Sequence, residues 1–131
     1  MYLLDTNICI YIINNKPIKV VNRIRKLKPN QVKLSSISLG ELEYGVSKSK
    51  FRDKNRNALM DFVSAFDIVE FNHNDSEVFG LIRADLEKNG QIIGPYDMQI
   101  AAQALTRSLI LVTNNTAEFS RIQSLKLENW A

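Results

Sequence analysis

Four short apolar runs alternate along the chain with longer segments in which apolar residues recur every three or four positions. The runs at residues 2–4, 32–35, 68–71 and 109–112 are typical of buried strands. The spacing elsewhere predicts helices at residues 8–13, 55–65, 75–88, 97–106 and 118–122, one that begins near Pro17 and one that begins at Ser38. Strands that alternate with helices indicate an α/β fold, in which a parallel sheet carries helices on both faces.

A chain of 131 residues and 15.0 kDa with no internal repeat is expected to form one domain over residues 1–131. The longest apolar runs are far shorter than the roughly 20 residues of a membrane span, and the first strand lacks the features of a signal peptide. We therefore expect a cytoplasmic protein with no membrane partner. The single Cys9 lies in an apolar pattern and is predicted to be a small core residue.

Basic residues are concentrated in the amino-terminal half of the chain. Seven of them and no acidic residue lie between Thr6 and Gly40, and five more lie between Lys48 and Arg56. These 12 of the 17 basic residues favour an interaction with a polyanion such as nucleic acid, although the net charge is only +3. The alternative is that they simply form solvated helix faces.

Polar residues follow the predicted strands at the points where the strands end. Asp5 directly follows the first strand, and Glu41 lies in the first helical turn after the second. Asp97 begins a later helix, and Asn115 follows the last strand. Because strand-to-helix turns of a parallel sheet share one edge, these four residues are expected to lie close together.

Three clustered carboxylates require a cation, since two unit charges about 4 Å apart repel by roughly 4 kcal/mol at an effective dielectric constant near 20. A hard divalent ion, Mg²⁺ or Mn²⁺, suits carboxylate ligands, whereas a chain with one cysteine and one histidine does not suit zinc. Such an ion promotes hydrolysis of phosphodiesters. The five glycines form no phosphate-binding motif, and no GxSxG motif is present, which argues against nucleotide-cofactor and acyl-transfer enzymes.

Each of these residues also has a simpler alternative role. Asp5 and Asp97 could each be only a helix N-cap, Glu41 only the capping-box partner of Ser38, and Asn115 only a turn or capping residue. For the whole protein, two other classes remain open: a non-catalytic module that binds RNA or a partner protein, and a small metal-dependent phosphatase.

Four segments, YLLDTNICIYIINNKP, SSISLGELEYGVSKS, GQIIGPYDMQIAAQAL and LILVTNNTAEF, together resemble the PIN-domain toxins of the VapC type over essentially the whole chain. The resemblance implies a three-layer α/β/α fold with a central, mostly parallel sheet. It also implies an Mg²⁺- or Mn²⁺-dependent endoribonuclease that inhibits translation, with tRNA as substrate and the anticodon loop of initiator tRNA as the leading target. The implied partners are a VapB-type antitoxin, operator DNA through the antitoxin complex only, and a second copy of the chain.

The family's acidic pattern falls on positions of this sequence that carry matching residues. The resemblance implies that Asp5, Glu41 and Asp97 are catalytic and bind the metal. Asn115 falls where many relatives have a fourth aspartate, which implies a neutral metal ligand or a group that positions water. The residues Thr6, Asn7 and Thr113 fall on polar positions that support the carboxylates or contact metal-bound water in the family.

Overall fold

The computed structural model describes residues 1–131 and contains one five-stranded sheet. Its strands are β1 (Tyr2–Leu4), β2 (Val32–Ser35), β3 (Asp67–Val69), β4 (Ile110–Val112) and β5 (Leu127–Glu128). They lie in the order β3-β2-β1-β4-β5, and all four neighbouring pairs are parallel. The predicted fold class is confirmed. The sequence pattern did not predict β5, which has only two residues.

Seven helices connect the strands, each close to a predicted segment. They are α1 (Thr6–Ile13), α2 (Ile18–Arg25), α3 (Ser36–Ser47), α4 (Arg52–Val63), α5 (His73–Lys88), α6 (Pro95–Thr106) and α7 (Thr116–Phe119). A 3₁₀ turn at Pro29–Gln31 precedes β2. None of the helices combines the length and the apolar character that crossing a bilayer would require.

The hydrophobic core lies in two layers on opposite faces of the sheet. Neighbouring residues of β1 point to opposite sides: Leu3 packs with α5 and α6, and Leu4 packs with α1 to α4. Cys9 is fully buried in the second layer, as predicted for a core residue. This arrangement leaves the carboxyl ends of β1, β2 and β4 on one edge of the molecule, where the connecting turns lead into helices.

Helix α3 begins earlier than the predicted capping box at Ser38 and Glu41. Ser35 is its N-cap, and the Ser35 hydroxyl accepts a hydrogen bond from the Ile37 N–H. The prediction was wrong because the helix follows β2 directly, so that a serine at the strand end occupies the cap first. The side chains of Ser38 and Glu41 are therefore free to contact Thr6 of α1 instead.

Of the two aspartates, the structure makes only Asp5 a helix N-cap. Helix α6 begins at Pro95 after the N-cap Gly94, so Asp97 is the third helical residue and does not cap the helix. Asp5, by contrast, is the N-cap of α1, and its carboxylate accepts a hydrogen bond from the Thr6 N–H. Asp5 thus has one structural role, which occupies part of its hydrogen-bonding capacity.

Candidate active site

Asp5 is held rigidly where β1 ends. The Asp5 N–H continues the sheet by donating to the Val112 carbonyl at 2.9 Å. One carboxylate oxygen accepts from the Thr6 N–H, and the other accepts from the Thr113 hydroxyl, each at 2.8 Å. The side chain of Asp5 is consequently fixed in direction, and each oxygen keeps a lone pair with which it can bind a cation.

Burial makes the ionised form of Asp5 costly. Only 5% of the residue is exposed, and this burial raises the pKa of its carboxyl group above the ordinary value. The hydrogen bonds from Thr113 and Thr6 act in the opposite direction but do not offset the burial. A bound cation would supply the compensation that these two donors leave incomplete.

Glu41 is joined to Asp5 through a single residue, Thr6. The Thr6 hydroxyl donates to Glu41 Oε1 at 2.9 Å and lies 3.0 Å from Ser38 Oγ, while the Thr6 N–H binds Asp5. Thr6 therefore ties the start of α1 to α3 and keeps the two carboxylates in a fixed relation. These contacts are consistent with the supporting role that the family resemblance implies for Thr6.

Asp97 lies in the first turn of α6, near the other acids. Its pKa is raised to about 6, first by partial burial and then by the negative charges of Asp5, Glu118 and Glu41. Charges act at this strength only over short distances, so the four carboxylates share one electrostatic environment. The structure therefore places Asp5, Glu41 and Asp97 near one another, and their catalytic role stays a prediction.

Glu118 is the member of this group that the sequence analysis missed. It lies in the first turn of α7, whereas the prediction considered only Asn115, which is nearer to the end of β4. The signal was present in the segment TNNTAEF, because a residue three positions after Asn115 lies on the same side of a short helix. In the structure Asn115 Nδ2 donates to Glu118 Oε2 at 3.1 Å.

Asn115, Thr113 and Asn7 occupy three different places around the acids. Asn115 stands at the N-cap position of α7 but makes no side-chain capping bond, so the simple capping role is not what its amide does. Buried Thr113 bridges the strand end by donating to Asp5 and accepting from the Asn115 N–H at 2.9 Å. Asn7 is exposed beside the acids on the wall of a cavity that also includes Glu41.

The donor set fits a hard divalent cation that keeps part of its water shell. All the donors at this edge are carboxylate, amide and hydroxyl oxygens, which are the ligands of Mg²⁺ and Mn²⁺. No three acidic, histidine or cysteine side chains converge on one point as a ready-made cage. Mg²⁺ is usually bound by one or two carboxylates together with water and substrate phosphates.

The two softer potential ligands are unsuitable for this site. His73 begins α5, where its side chain is 85% exposed and lies 3.5 Å from Glu77. Burial, followed by the charge of Asp5, raises the pKa of the Cys9 thiol, so the thiolate that a metal would require is disfavoured.

Two open volumes adjoin the acidic edge. One is a cavity of about 880 Å³ lined by Glu41, Tyr44 and Tyr96, among other residues. The other is a mainly apolar groove of about 270 Å³ between α1, α3 and α4, which also reaches Glu41. A molecule bound in either volume would contact the Glu41 side chain.

Known proteins resemble this chain over nearly its whole length. A model of the PIN domain family matches residues 2–125. The chain is 46% identical to the ribonuclease VapC2 of Rickettsia felis over 99% of this chain and 98% of that protein. It is 42% identical to the tRNA(fMet)-specific endonuclease VapC of Shigella flexneri, again over 99% and 98% of the two chains.

A solved structure shares the fold over nearly the whole chain. It is VapBC2 from Rickettsia felis bound to a DNA fragment from the promoter, with a TM-score of 0.93, 45% identity, and coverage of 99% of this chain and 98% of that one. These likenesses cover 99% of this chain and therefore include all four motif segments. The chain therefore belongs to the PIN domain family and, within it, to the VapC-type ribonucleases of toxin–antitoxin systems.

Proposed function

We propose that residues 1–131 act in the cytoplasm as a single-domain toxin that hydrolyses RNA phosphodiester bonds with Mg²⁺ or Mn²⁺ and thereby inhibits translation. The observation that carries the proposal is the gathering of four carboxylates, from four separate chain segments, at the carboxyl edge of the sheet. These are Asp5, Glu41, Asp97 and Glu118. A cluster of this charge beside a basic amino-terminal half suits a metal-dependent reaction on a polyanion.

In this proposal Asp5, Glu41 and Asp97 hold the divalent ion directly or through its bound water, and Glu118 adds negative charge to the site. When bound, the ion supplies an activated water and neutralises charge on the phosphate. Thr6 and Thr113 fix the Asp5 carboxylate in direction, and Thr6 also holds Glu41. Asn115 orients Glu118 through its amide, and exposed Asn7 is available to the metal-bound water or the substrate.

Transfer RNA is the substrate class that we favour, with the anticodon loop of initiator tRNA first. The Shigella flexneri relative is named for cleavage of tRNA(fMet), and this chain is 42% identical to it. The basic residues before Gly40 include exposed side chains on α2, such as Lys19, which suit contacts with the phosphates of a folded RNA.

The purified protein is the direct test of this function. We expect it to cleave initiator tRNA at one position in Mg²⁺ or Mn²⁺ and to lose the activity in EDTA. Mapping of the new RNA ends, with total tRNA and ribosomal RNA as competitors, identifies the target. Hydrolysis of a phosphate monoester such as p-nitrophenyl phosphate without RNA cleavage would instead indicate a phosphatase, and metal-independent RNA binding alone would indicate a non-catalytic module.

A VapB-type antitoxin is the partner that we propose for the apolar groove. The groove is lined by residues such as Ile10, Leu42 and Leu59 and ends at Glu41. An amphipathic segment could fill it and bring an arginine to the carboxylates, where bidentate pairing is strong. The Rickettsia felis relative is described in a complex with VapB and promoter DNA, and we propose that DNA binding here likewise occurs through the antitoxin.

Expression of the chain alone is therefore expected to arrest growth and translation. Co-expression of the antitoxin encoded beside it should restore growth by several orders of magnitude in plating efficiency. Protein synthesis measured by amino-acid incorporation should fall within minutes of induction. Unchanged growth and incorporation at verified expression levels would contradict the toxin assignment. We also expect a homodimer, which sedimentation of the purified protein will test.

Asn115 and Glu118 are expected to have distinguishable effects. Asn115→Asp adds a charge beside Glu118 and should raise the affinity for Mg²⁺ in the absence of RNA. Asn115→Ala should lower turnover by less than Asp97→Asn does, because the amide contributes no charge. Glu118→Gln should weaken Mg²⁺ binding while keeping the hydrogen bond from Asn115. Calorimetric titration measures these affinities, and unchanged values for Asn115→Asp and Glu118→Gln would restrict the site to three carboxylates.

A further inference from the structure

The cavity of about 880 Å³ contains an aromatic and a cationic group next to the acidic cluster. Tyr44 and Lys48 follow Glu41 at intervals of three and seven residues, so they continue the same face of α3 away from the carboxylate. Tyr96, which immediately precedes Asp97, also lines the cavity. The cavity is within the size range of ligand-binding sites.

Both tyrosine side chains are presented to solvent rather than to the core. Tyr44 is 66% exposed and Tyr96 is 57% exposed. The ammonium of Lys48 lies 4.8 Å from the centre of the Tyr44 ring, close enough for a cation–π contact. The charge of Lys48 thus lies against the Tyr44 ring, and both tyrosines border an open volume.

Two glycines of α3 keep this volume open. Gly40 and Gly45 line the cavity within the helix, where glycine is less stabilising than alanine. A Cβ at either position would meet no atom within 4 Å, so packing within the chain does not require their small size. The space that they leave is accessible to a ligand.

We propose that Tyr44, Tyr96 and Lys48 form a binding subsite in which unpaired nucleobases of the RNA stack on the two tyrosine rings and Lys48 contacts an adjoining phosphate. The inference rests on the proposed ribonuclease function, and it identifies where the substrate is held beside the acids. Aromatic rings stack on any nucleobase, and a lysine near a ring can reach the backbone of the stacked nucleotide. Stacking requires bases that are not paired, so the subsite selects loops and single strands over duplex RNA.

Binding measurements on an inactive background separate this inference from catalysis. The probe is the anticodon stem-loop of initiator tRNA, and the comparison RNA is the same stem as a perfect duplex without a loop. All variants carry Asp97→Asn so that the RNA stays intact during the measurement. We expect the stem-loop to bind at least tenfold more tightly than the duplex.

Removal of either ring should weaken binding of the stem-loop about tenfold or more, whereas Tyr44→Phe and Tyr96→Phe should restore it because stacking needs only the ring. Lys48→Ala should reduce the slope of log Kd against log salt by about 0.7, as expected for one lost phosphate contact on a single strand. Phe51→Ala is the matched control, because Phe51 is 68% exposed and does not line the cavity. It should leave the affinity unchanged.

Gly40→Leu provides an independent check on the cavity. The new side chain extends into open space and should maintain or raise the melting temperature while lowering the affinity for the stem-loop at least fivefold. A purely structural role of Gly40 would not produce opposite effects on stability and binding. A lower melting temperature together with a lower affinity would contradict the proposal.

Cleavage by the single variants without Asp97→Asn distinguishes failure of the subsite from failure of the function. A raised KM with little change in kcat for Tyr44→Ala and Tyr96→Ala supports the subsite. Unchanged KM and unchanged Kd overturn it while leaving the ribonuclease function intact. Absence of cleavage by the unsubstituted protein overturns the function itself. If the tyrosine variants weaken antitoxin binding but not RNA binding, the cavity is a protein-docking surface and the proposal is wrong.

Discussion

Replacing Asp97 by asparagine is expected to abolish RNA cleavage and to raise the melting temperature of the metal-free protein. The pKa of Asp97 is raised to about 6 by burial and by the charges of Asp5, Glu118 and Glu41, so ionisation at pH 7 opposes folding. A difference of about two pKa units corresponds to about 3 kcal/mol, and solvent screening at this partly exposed group reduces it to about 2 kcal/mol. Asparagine removes the charge and keeps the size.

The direction of the pH dependence follows from the raised pKa. In the metal-free protein, the protonated Asp97 is fully compatible with folding below the unfolded-state pKa near 4, and stability is lost as the pH rises through about 6. The advantage of Asp97→Asn over the unsubstituted protein should therefore be small at pH 4 and largest above pH 7. Thermal unfolding in EDTA at several pH values measures this difference.

With Mg²⁺ present, the unsubstituted protein should become more stable than Asp97→Asn. An ion that binds only the folded state raises the melting temperature of the protein. Mg²⁺ should therefore stabilise the unsubstituted protein, and EDTA should remove the effect. Asp97→Asn should lose most of this shift. Asp85→Asn on the exposed face of α5 is the control, because it makes the same chemical change away from the acids and should retain both cleavage and the Mg²⁺ shift. Equal cleavage by Asp97→Asn and the unsubstituted protein would refute the catalytic role of Asp97.

The sequence allowed prediction of those site residues whose position depends on the backbone alone. Asp5 follows a strand directly, so its place on the sheet edge follows from the parallel fold. Asp97 lies in the first turn of α6, and an error of two residues in the helix start did not move it to another face. For these residues, alternation of strands and helices was sufficient information.

Residues whose roles depend on distant partners could not be predicted in the same way. The apparent capping box of Ser38 and Glu41 satisfied a local rule, but the hydroxyl of Thr6, more than 30 residues away, is their partner. Asp75 was predicted only as the start of a helix, whereas it is completely buried and bound to Arg107. Local patterns contain no information about such contacts, because chain topology creates them.

Removing the guanidinium of Arg107 is expected to lower the free energy of unfolding strongly. Asp75 has no exposed surface, and its two oxygens accept hydrogen bonds from Arg107 Nη1 at 2.7 Å and Nη2 at 3.0 Å. The Thr106 hydroxyl and the Asn72 N–H also donate to this carboxylate. Arg107→Ala leaves a buried charge without its counter-ion, which costs about 3–5 kcal/mol.

The ion pair also explains why Asp75 stays ionised in the interior. Burial alone would raise the pKa of Asp75, but the hydrogen bonds from Arg107, Thr106 and Asn72, together with the charge of Arg107, lower it below the ordinary value. The stabilisation that the carboxylate provides is therefore present above the unfolded-state pKa near 4 and is lost as the pH falls through the folded-state pKa. Chemical denaturation between pH 3 and pH 7 should show this loss in the unsubstituted protein.

Comparison of variants across pH identifies the buried charge as the cause. Without Arg107, burial should raise the pKa of Asp75, so Arg107→Ala should recover stability relative to the unsubstituted protein as the pH falls from 7 to 4. Arg83→Ala is the matched control, because the exposed pair of Arg83 and Glu87 at 3.0 Å should contribute at most about 0.5 kcal/mol at any pH. A loss for Arg107→Ala that matches Arg83→Ala, or that does not change with pH, would contradict this account.

The double variant Asp75→Asn with Arg107→Met completes the test. It removes both charges and keeps much of the buried volume, so it should be less destabilised than Arg107→Ala alone. Arg107 also donates to the carbonyl of Gln103 within α6 and to the carbonyl of Glu70, which joins the end of α6 to the end of β3. Methionine cannot replace these bonds. The loss of unfolding free energy that persists in the double variant therefore measures the attachment of α6, the helix that carries Asp97. The part of the loss that is recovered measures the cost of the isolated buried charge.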